Sequence, residues 1–364
     1  MKNISADMQK KKVAIVGTQG VPAGYGGFET LVENIIGENC SDNIQYTVFC
    51  SKKDMPDRIK EYKGATLKYV PFHANGMQSI PYDIISMMRC LWKYDTILIL
   101  GVSGCLFLPV FKLLNRSKVI VNIDGLEHRR EKWKKWIRKY LRFSEYLAVR
   151  FADTIIADNK GIQDYVAEEY GKKAELVTYG GDHVMTGVDE KLQNEILAKY
   201  SLEKEQYSMS VCRIEPENNC HITLEAFSKS KERLVFIGNW NRSEYSRALK
   251  EKYSKFGNIT ILDSIYDLDV LYTFRKHAKY YIHGHSAGGT NPSLVEAMFF
   301  ARPIMAYDVV YNKETTFHKA NYFKNAEELG QLLQKEQSGG EEIRRIAVEN
   351  YTWQKIAKEY ESLY

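Results

Sequence analysis

The 364-residue chain is 44% hydrophobic and 27% charged, the balance of a soluble globular protein long enough for two cores of ordinary size. Its formal net charge of +5 is too mild to argue for nucleic acid by itself. Six scattered cysteines without a CxxC pair, and an opening MKNISADMQKKK without the apolar core of a signal peptide, point to a reducing cytoplasm and away from a zinc site.

Residues 12–17 (KVAIVG) predict a buried strand that runs into a loop with five glycines between positions 17 and 27, followed by helical spacing of Leu31, Val32, Ile35 and Ile36. The loop is too long for a compact GxGxxG dinucleotide turn, but a phosphate or sugar fits over it. Strands recur at 45–50, 67–70, 96–100 and 118–123 with helical patterns between them, which predicts a parallel sheet flanked by helices. The run 96–111 is short for a membrane span and is broken by Gly101, Gly104 and Pro109, so it reads as a buried strand, a turn and a buried helix.

Ligands of such sheets lie beyond the carboxyl ends of strands. That places Asp124, Glu127 and His128, just after 118–123, as an acid/base or hydroxyl-binding cluster or as caps of the next helix. Residues 129–150 follow, with nine Lys or Arg among Trp133, Trp136, Ile137, Tyr140, Leu141 and Phe143. A basic aromatic helix suits an anionic membrane surface, with Lys132, Trp133, Lys134, Lys135 and Trp136 as contacts. It also suits a solvated face with an aromatic inner side, and last of all nucleic acid.

Strands at 152–157 and 175–178, a helix at 159–170 and a linker around 181–189 close a first domain. A second parallel sheet is expected from strands at 207–213, 233–237, 259–262 and 280–282. Arg213, at the end of the first of these, either reaches a phosphate or pairs with Glu215 or Glu217. Asp267 and Asp269 open a helical segment, where capping is favoured over a metal site. The stretch 280–308 (YYIHGHSAGGTNPSLVEAMFFARPIMAYD) predicts strand, glycine turn, helix and strand. Ser286, Gly288, Gly289, Thr290 and Asn291 would leave amides free at a helix N-terminus, suited to a diphosphate. Glu296, one turn in, either accepts sugar hydroxyls or is solvated. Residues 340–364 predict two helices, the last able to return to the first domain.

These motifs carry a family resemblance over nearly the whole chain. The loop with Gly26-Gly27-Phe28-Glu29, the RIEPENN stretch from Arg213 and HGHSAGGTNPSLVEAM resemble the retaining GT-B glycosyltransferases. VAIVGTQGVPAGYGGFETLVENI resembles, more closely, the opening of bacterial rhamnosyltransferases of capsule and exopolysaccharide assembly. The resemblance implies two doubly wound Rossmann-like domains facing across a cleft. Residues 1–182 would hold the acceptor, 183–345 the nucleotide sugar, and 346–364 would form a helix packing back on the first. It further implies a retaining, metal-independent transfer, without a resident cofactor, from dTDP-L-rhamnose to a lipid-linked saccharide at the inner face of a membrane. A UDP- or GDP-sugar donor, or a GT-B sugar-nucleotide epimerase, is the alternative.

Carried over by position, Arg213 would neutralise the diphosphate, and residues 288–290 would cradle it. Glu296 would bind the pentose, and Gly26 and Gly27 would approach from the opposite side. Two positions depart from the pattern. Gly288 stands where a second glutamate is usual, and Asn218 stands where a basic residue is usual.

Overall fold

The computed structural model describes residues 10–24, 26–123, 125–130 and 133–364, and Asp124 and Lys132 lie outside the described residues. The chain forms two compact units. One runs up to Thr178 and includes Trp353–Tyr364, and the other is Tyr179–Thr352.

The strands of the first unit are β1 (Lys11–Val16), β2 (Ile44–Ser51), β3 (Glu61–Tyr62), β4 (Ala65–Val70), β5 (Thr96–Leu100), β6 (Lys118–Asn122), β7 (Thr154–Ala157) and β8 (Glu175–Leu176). They lie in the order β3-β4-β2-β1-β5-β6-β7-β8. Every pairing is parallel except the short β3–β4 hairpin, which the sequence reading lacked. The central strands are continuous apolar runs because helices cover both faces: Val13 to Val16 and Ile97 to Leu100 are all buried. The covering helices are α1 (Gly27–Glu38), α2 (Ser79–Cys90), α3 (Leu108–Leu114), α4 (Lys135–Phe151) and α5 (Lys160–Tyr170).

Two expectations are corrected here. The helical part of 96–111 is not buried all round: Leu108 and Phe111 face the core, but Leu106 and Val110 are exposed, as are Leu113 and Leu114 beyond it. The basic segment is not one helix from Arg129. A short 3-10 turn occupies Glu127–Arg129, and α4 starts at Lys135 behind an extended Lys134.

The second unit begins with α6 (Glu190–Lys199). Its strands are β9 (Ser208–Val211), β10 (Leu234–Ile237), β11 (Ile259–Leu262), β12 (Tyr281–His283), β13 (Ile304–Tyr307) and β14 (Asn321–Phe323). All pair in parallel, in the order β11-β10-β9-β12-β13-β14, the doubly wound order whose winding reverses between β9 and β12. Between and after them lie α7 (Cys220–Ser228), α8 (Glu244–Tyr253), α9 (Leu268–His277), α10 (Pro292–Met298), α11 (Val310–Thr315), α12 (Ala326–Leu333) and α13 (Gly340–Asn350). One core cluster joins Met209, Tyr281, Leu294 and Ile343, and a second, containing Leu224, Phe236, Trp240 and Phe323, completes this unit.

The last helix, α14 (Trp353–Leu363), belongs to the first unit. Its buried stripe of Trp353, Ile356, Ala357 and Tyr360 has the spacing of one helical face, and it packs beside α1. The Tyr360 hydroxyl accepts from Asn122 Nδ2 at 2.9 Å, and Glu361 accepts from the Cys40 amide at 2.8 Å.

Candidate active site

In the second unit, β9 and β12 are neighbours at the reversal point, so the loops leaving their carboxyl ends start side by side. Side chains stitch these loops together. Ser286 donates both its amide and its hydroxyl to the Glu217 carbonyl, each at 2.9 Å. Asn218 Nδ2 donates to the Arg213 carbonyl at 2.7 Å while its Oδ1 lies 2.7 Å from His285 Nδ1. Asn219 Nδ2 donates to the Gly284 carbonyl at 2.9 Å. The backbones approach so closely that a Cβ on Gly284 would sit 2.2 Å from the Asn218 carbonyl oxygen. The departure at Asn218 thus has a physical account: the side chain is buried, and its amide cross-links two loops as a lysine, which lacks an acceptor, could not.

Arg213 lies just past β9 with its guanidinium Nε 3.9 Å from Glu215 Oε2, an ion pair too long for a hydrogen bond. The other oxygen of Glu215 lies 3.8 Å from Arg242 Nη1. The salt-bridge alternative is therefore present, but loose and partly exposed, and such pairs contribute about 0–1 kcal/mol. An anion can draw Arg213 away at little cost. Arg242 was not among the sequence candidates, since it lies past the next strand, 29 residues from Arg213.

The glycine turn differs from its expected form in one respect. Asn291 caps α10 through Oδ1, which accepts from the Ser293 amide at 3.0 Å, and its carbonyl accepts from Leu294 and Val295 at 3.0 and 3.2 Å. The first-turn amides are therefore used within α10 itself. Those left over are in the turn: among the described residues the Gly288 and Gly289 amides make no hydrogen bond, and Gly288 has a φ of +88° that favours glycine. Thr290 is buried.

Glu296 is not solvated. Its Oε2 accepts from Nη2 of Arg275, a buried arginine of α9, and its Oε1 lies 3.6 Å from His183 Nε2. His183 is held by the short turn Asp182–Val184, just after Gly181, where a Cβ would meet the Glu296 amide at 3.1 Å. The carboxylate is thus fixed from two sides with Oε1 the less engaged oxygen. Asp267 caps α9, accepting from the amides of Asp269 and Val270 at 2.9 and 3.2 Å.

In the first unit the winding reverses between β1 and β5, and the five-glycine loop leaves β1 at that point. Gly17 (φ +97°) passes so near β5 that a Cβ would lie 2.1 Å from the Leu100 carbonyl oxygen. Gly26 (φ +138°) makes room for Glu29, whose Oε2 would be 1.9 Å from a Cβ there. Glu29 is buried and folds back over the loop, with Oε1 accepting from the Gln19 amide at 2.7 Å and the Thr18 hydroxyl at 3.0 Å. Burial raises its pKa above the ordinary carboxylate value, more than those hydrogen bonds lower it. Glu33, one turn on, accepts from the Ala23 amide at 2.6 Å. The sequence offered this as two carboxylates four residues apart at the start of α1, a signal the glycines overshadowed.

After β6, Glu127 and His128 do not cap α4. Glu127 accepts from Arg130 and, at 2.9 Å, from Trp133 Nε1. His128 is buried with Nδ1 2.9 Å from Oε2 of Glu145, whose Oε1 accepts from the hydroxyls of Tyr165 (2.8 Å) and Tyr170 (2.7 Å). Burial alone would raise the Glu145 pKa, but the His128 contact and the two tyrosine hydroxyls together hold it below the ordinary value. The arrangement is an imidazole oriented by a buried carboxylate, a pairing suited to general acid/base or hydroxyl-positioning work. Glu145, the only acid in α4, was not singled out because it sits 17 residues from its partner within a basic stretch.

Of the expected membrane contacts, Lys134, Lys135 and Trp136 are exposed, whereas the Trp133 indole turns inward to Glu127. No helix among the described residues is long and apolar enough to cross a membrane.

Comparison with known proteins bears on the second unit most directly. Residues 193–338 match the family model "Glycosyl transferases group 1", and residues 10–182 match "Domain of unknown function (DUF1972)". The chain is 26% identical over 274 residues to the alpha-1,3/1,6-mannosyltransferase ALG2 of Kluyveromyces lactis, an alignment covering 68% of this chain and 54% of that protein. It thus spans about half the length of that relative. Sucrose-phosphate synthase from Thermosynechococcus elongatus superposes with a TM-score of 0.81 at 14% identity, over 98% of both chains. HepE of Anabaena, solved in complex with UDP, gives 0.75 at 13% identity over 97% of this chain and 98% of that one. At such identities the structural likeness speaks for the fold, which is the two-domain, parallel-sheet GT-B fold that the sequence motifs led us to expect. Within this GT-B fold, residues 193–338 are thus similar to the group 1 glycosyl transferases and residues 10–182 to the DUF1972 domain.

Proposed function

We propose that this protein is a retaining, metal-independent glycosyltransferase that moves L-rhamnose from dTDP-L-rhamnose to a lipid-linked saccharide during capsule or exopolysaccharide assembly. The observation that carries the transferase reading is that loosely held Arg213, on the loop after β9, and fixed Glu296, on α10 beyond the loop after β12, follow two strands adjacent at one sheet reversal, within the matched group 1 region. In this reading Oε1 of Glu296 accepts pentose hydroxyls of the nucleotide. Arg213 and Arg242 meet the diphosphate, and the amides of Gly288 and Gly289 take its oxygens.

Breaking the sugar–phosphate bond sends its electron pair to the departing diphosphate, where those cations stabilise the growing charge. The acceptor oxygen bonds to the anomeric carbon on the same face, and its proton passes to a phosphate oxygen of the donor. In the first unit His128, oriented by Glu145, positions the acceptor hydroxyl, with Glu127 and Asp124 as its neighbours in sequence. The exposed cations and Trp136 of α4 bring the enzyme to an anionic membrane surface from the cytoplasmic side.

A UDP- or GDP-sugar donor is the second reading, and it draws on the relatives: HepE was solved with UDP and with UDP-glucose, and ALG2 is a mannosyltransferase. Thermal stabilisation by a panel of nucleotides and nucleotide sugars separates the two. A shift with dTDP or dTDP-rhamnose supports rhamnose, and a shift with UDP or GDP compounds alone replaces it. A shift with NAD alone overturns the transferase. Arg213→Ala should abolish transfer without lowering the melting temperature, and unchanged turnover would remove Arg213 from the mechanism. Conversion of the donor with no acceptor present would instead identify an epimerase.

A further inference from the structure

The residues that refute a buried α3 have an order of their own. Leu106, Val110, Leu113 and Leu114 fall at i, i+4, i+7 and i+8, the spacing by which a helix presents one apolar face, yet all four are exposed, Leu113 at 84%. The core is served by a different stripe, Cys105, Leu108 and Phe111. A 3-10 turn at Cys105–Phe107 running into α3 with two apolar sides, one of them uncovered, is uncommon in a soluble domain. Trp92 extends the uncovered face. Its indole Nε1 donates to the Leu114 carbonyl at 2.8 Å, so the polar end is satisfied while the ring stays 75% exposed.

This ridge lies alongside α4. At its start Tyr140 and Ser144 of α4 donate to the carbonyls of Ser103 and Val102, at 2.7 and 2.5 Å. Toward its end Lys112 pairs with Asp153, just past α4, at 2.7 Å. Tyr140 shares its stripe with Trp136 and Phe143, both exposed, so the aromatic edge of α4 borders the ridge. Beyond that edge α4 exposes Lys135, Arg138, Lys139, Arg142 and Arg150, and its single acid, Glu145, is buried. Among the described residues only Arg142 of these cations meets an acid, Glu169 of α5, and Arg138 Nε donates to the His128 carbonyl. An apolar ridge thus lies beside aromatic side chains and then a surplus of cations, the layering of a surface that enters lipid, then the interface, then the headgroups.

Building on the reading of α4 as membrane-facing, we propose that the α3 ridge with Trp92 inserts into the acyl boundary of an anionic bilayer and anchors the first unit there. Charge decides against a second copy of this chain as the occupant, since a symmetric contact would bring two sets of α4 cations together. It also decides against nucleic acid, whose phosphates would gain nothing from Leu106, Val110 and Leu113.

The test is flotation of the full chain with vesicles of equal parts phosphatidylglycerol and phosphatidylcholine. Wild type should keep part of its binding at about 0.5 M NaCl, where charge attraction is screened and insertion is not. Val110→Ser/Leu113→Ser, both at exposed sites, should lower the partition coefficient about tenfold or more at every salt concentration. Lys135→Ser/Lys139→Ser should lower it at low salt only. Partitioning of the Val110/Leu113 variant equal to wild type overturns the ridge and leaves the α4 reading in place. Absence of binding by wild type overturns both. A dimer in sedimentation that the same variant dissolves would assign the ridge to a second copy instead. Nucleotide-induced stabilisation of each variant keeps the result separate from the transferase reading, because donor binding should be unchanged.

Discussion

Arg275→Met isolates the charge pair that fixes Glu296. Arg275 is 3% exposed on α9, and it donates to Glu296 Oε2 across the core of the second unit. Removing one partner of a buried ion pair typically costs about 3–5 kcal/mol, because the other charge is left uncompensated. Two features reduce that figure here. The Glu296 side chain keeps 16% of its surface, so water reaches it. Arg275 Nε and Nη1 are buried without hydrogen-bond partners, and methionine removes those orphaned donors, each costing about 1–3 kcal/mol. The net loss should be about 2 kcal/mol. For a domain the size of Tyr179–Thr352 that is a fall of roughly 4–8 °C in melting temperature. Glu296→Gln combined with Arg275→Met should recover most of it, giving a coupling of about 1 kcal/mol or more. Urea denaturation of the two single variants and the double variant measures this directly. Additivity within about 0.5 kcal/mol would show that Arg275 is not retained for Glu296.

Glu29→Gln tests the buried carboxylate over the first glycine loop. A carboxyl whose folded pKa is raised contributes stability that is full below its unfolded value and is lost as pH rises through the folded one. The variant should therefore remove part of the fall in melting temperature as pH rises above the ordinary carboxylate range, without lowering it at neutrality, and an unchanged profile counts against the burial of Glu29. Glu145→Gln has the opposite sign. With its folded pKa depressed, Glu145 stabilises above its unfolded value and loses that contribution as pH falls, so the variant should lose about 1–3 kcal/mol near neutrality and converge with wild type in acid. Parallel melting curves at all pH values would contradict it. Gly26→Ala meets both a positive φ and the Glu29 carboxylate, and it should cost about 1–3 kcal/mol in urea unfolding, whereas Gly24→Ala, with open space around it, should be nearly neutral. Equal effects would refute the close approach.

What was legible in the sequence was what period and chain order encode. Continuous apolar runs marked the parallel strands at β1, β5 and β6 within a residue of their ends, and glycine loops after β1 and near the end of β12 marked both reversal points. The partners that orient the site were not legible. Arg275 reaches Glu296 from 21 residues upstream, His128 meets Glu145 from 17 residues away, and Arg242 comes from the neighbouring strand loop. Such pairs are made by sheet order, which local spacing does not carry. The exposed side of α3 was misread for a related reason. Apolar spacing identifies a face that is unsuited to water, but not whether protein covers it.

The departures at Gly288 and Asn218 from the pattern the motifs resemble also belong together physically. A glutamate in place of Gly288 would bring a second negative charge into a turn whose glycine amides have no other hydrogen bond, and it would have to adopt a φ of +88°. A lysine in place of Asn218 would add a cation but lose the acceptor that holds His285 and the donor that holds the Arg213 carbonyl. In the chain as it stands, Arg213 and Arg242 flank Glu215 in long, partly exposed ion pairs on the loops after β9 and β10. On the proposed reading, joined loops and weakly held arginines stand in for a fixed positive charge. If that exchange is functional, restoring lysine at Asn218 should weaken donor binding despite the added charge, because the loops that present the arginines would no longer be joined.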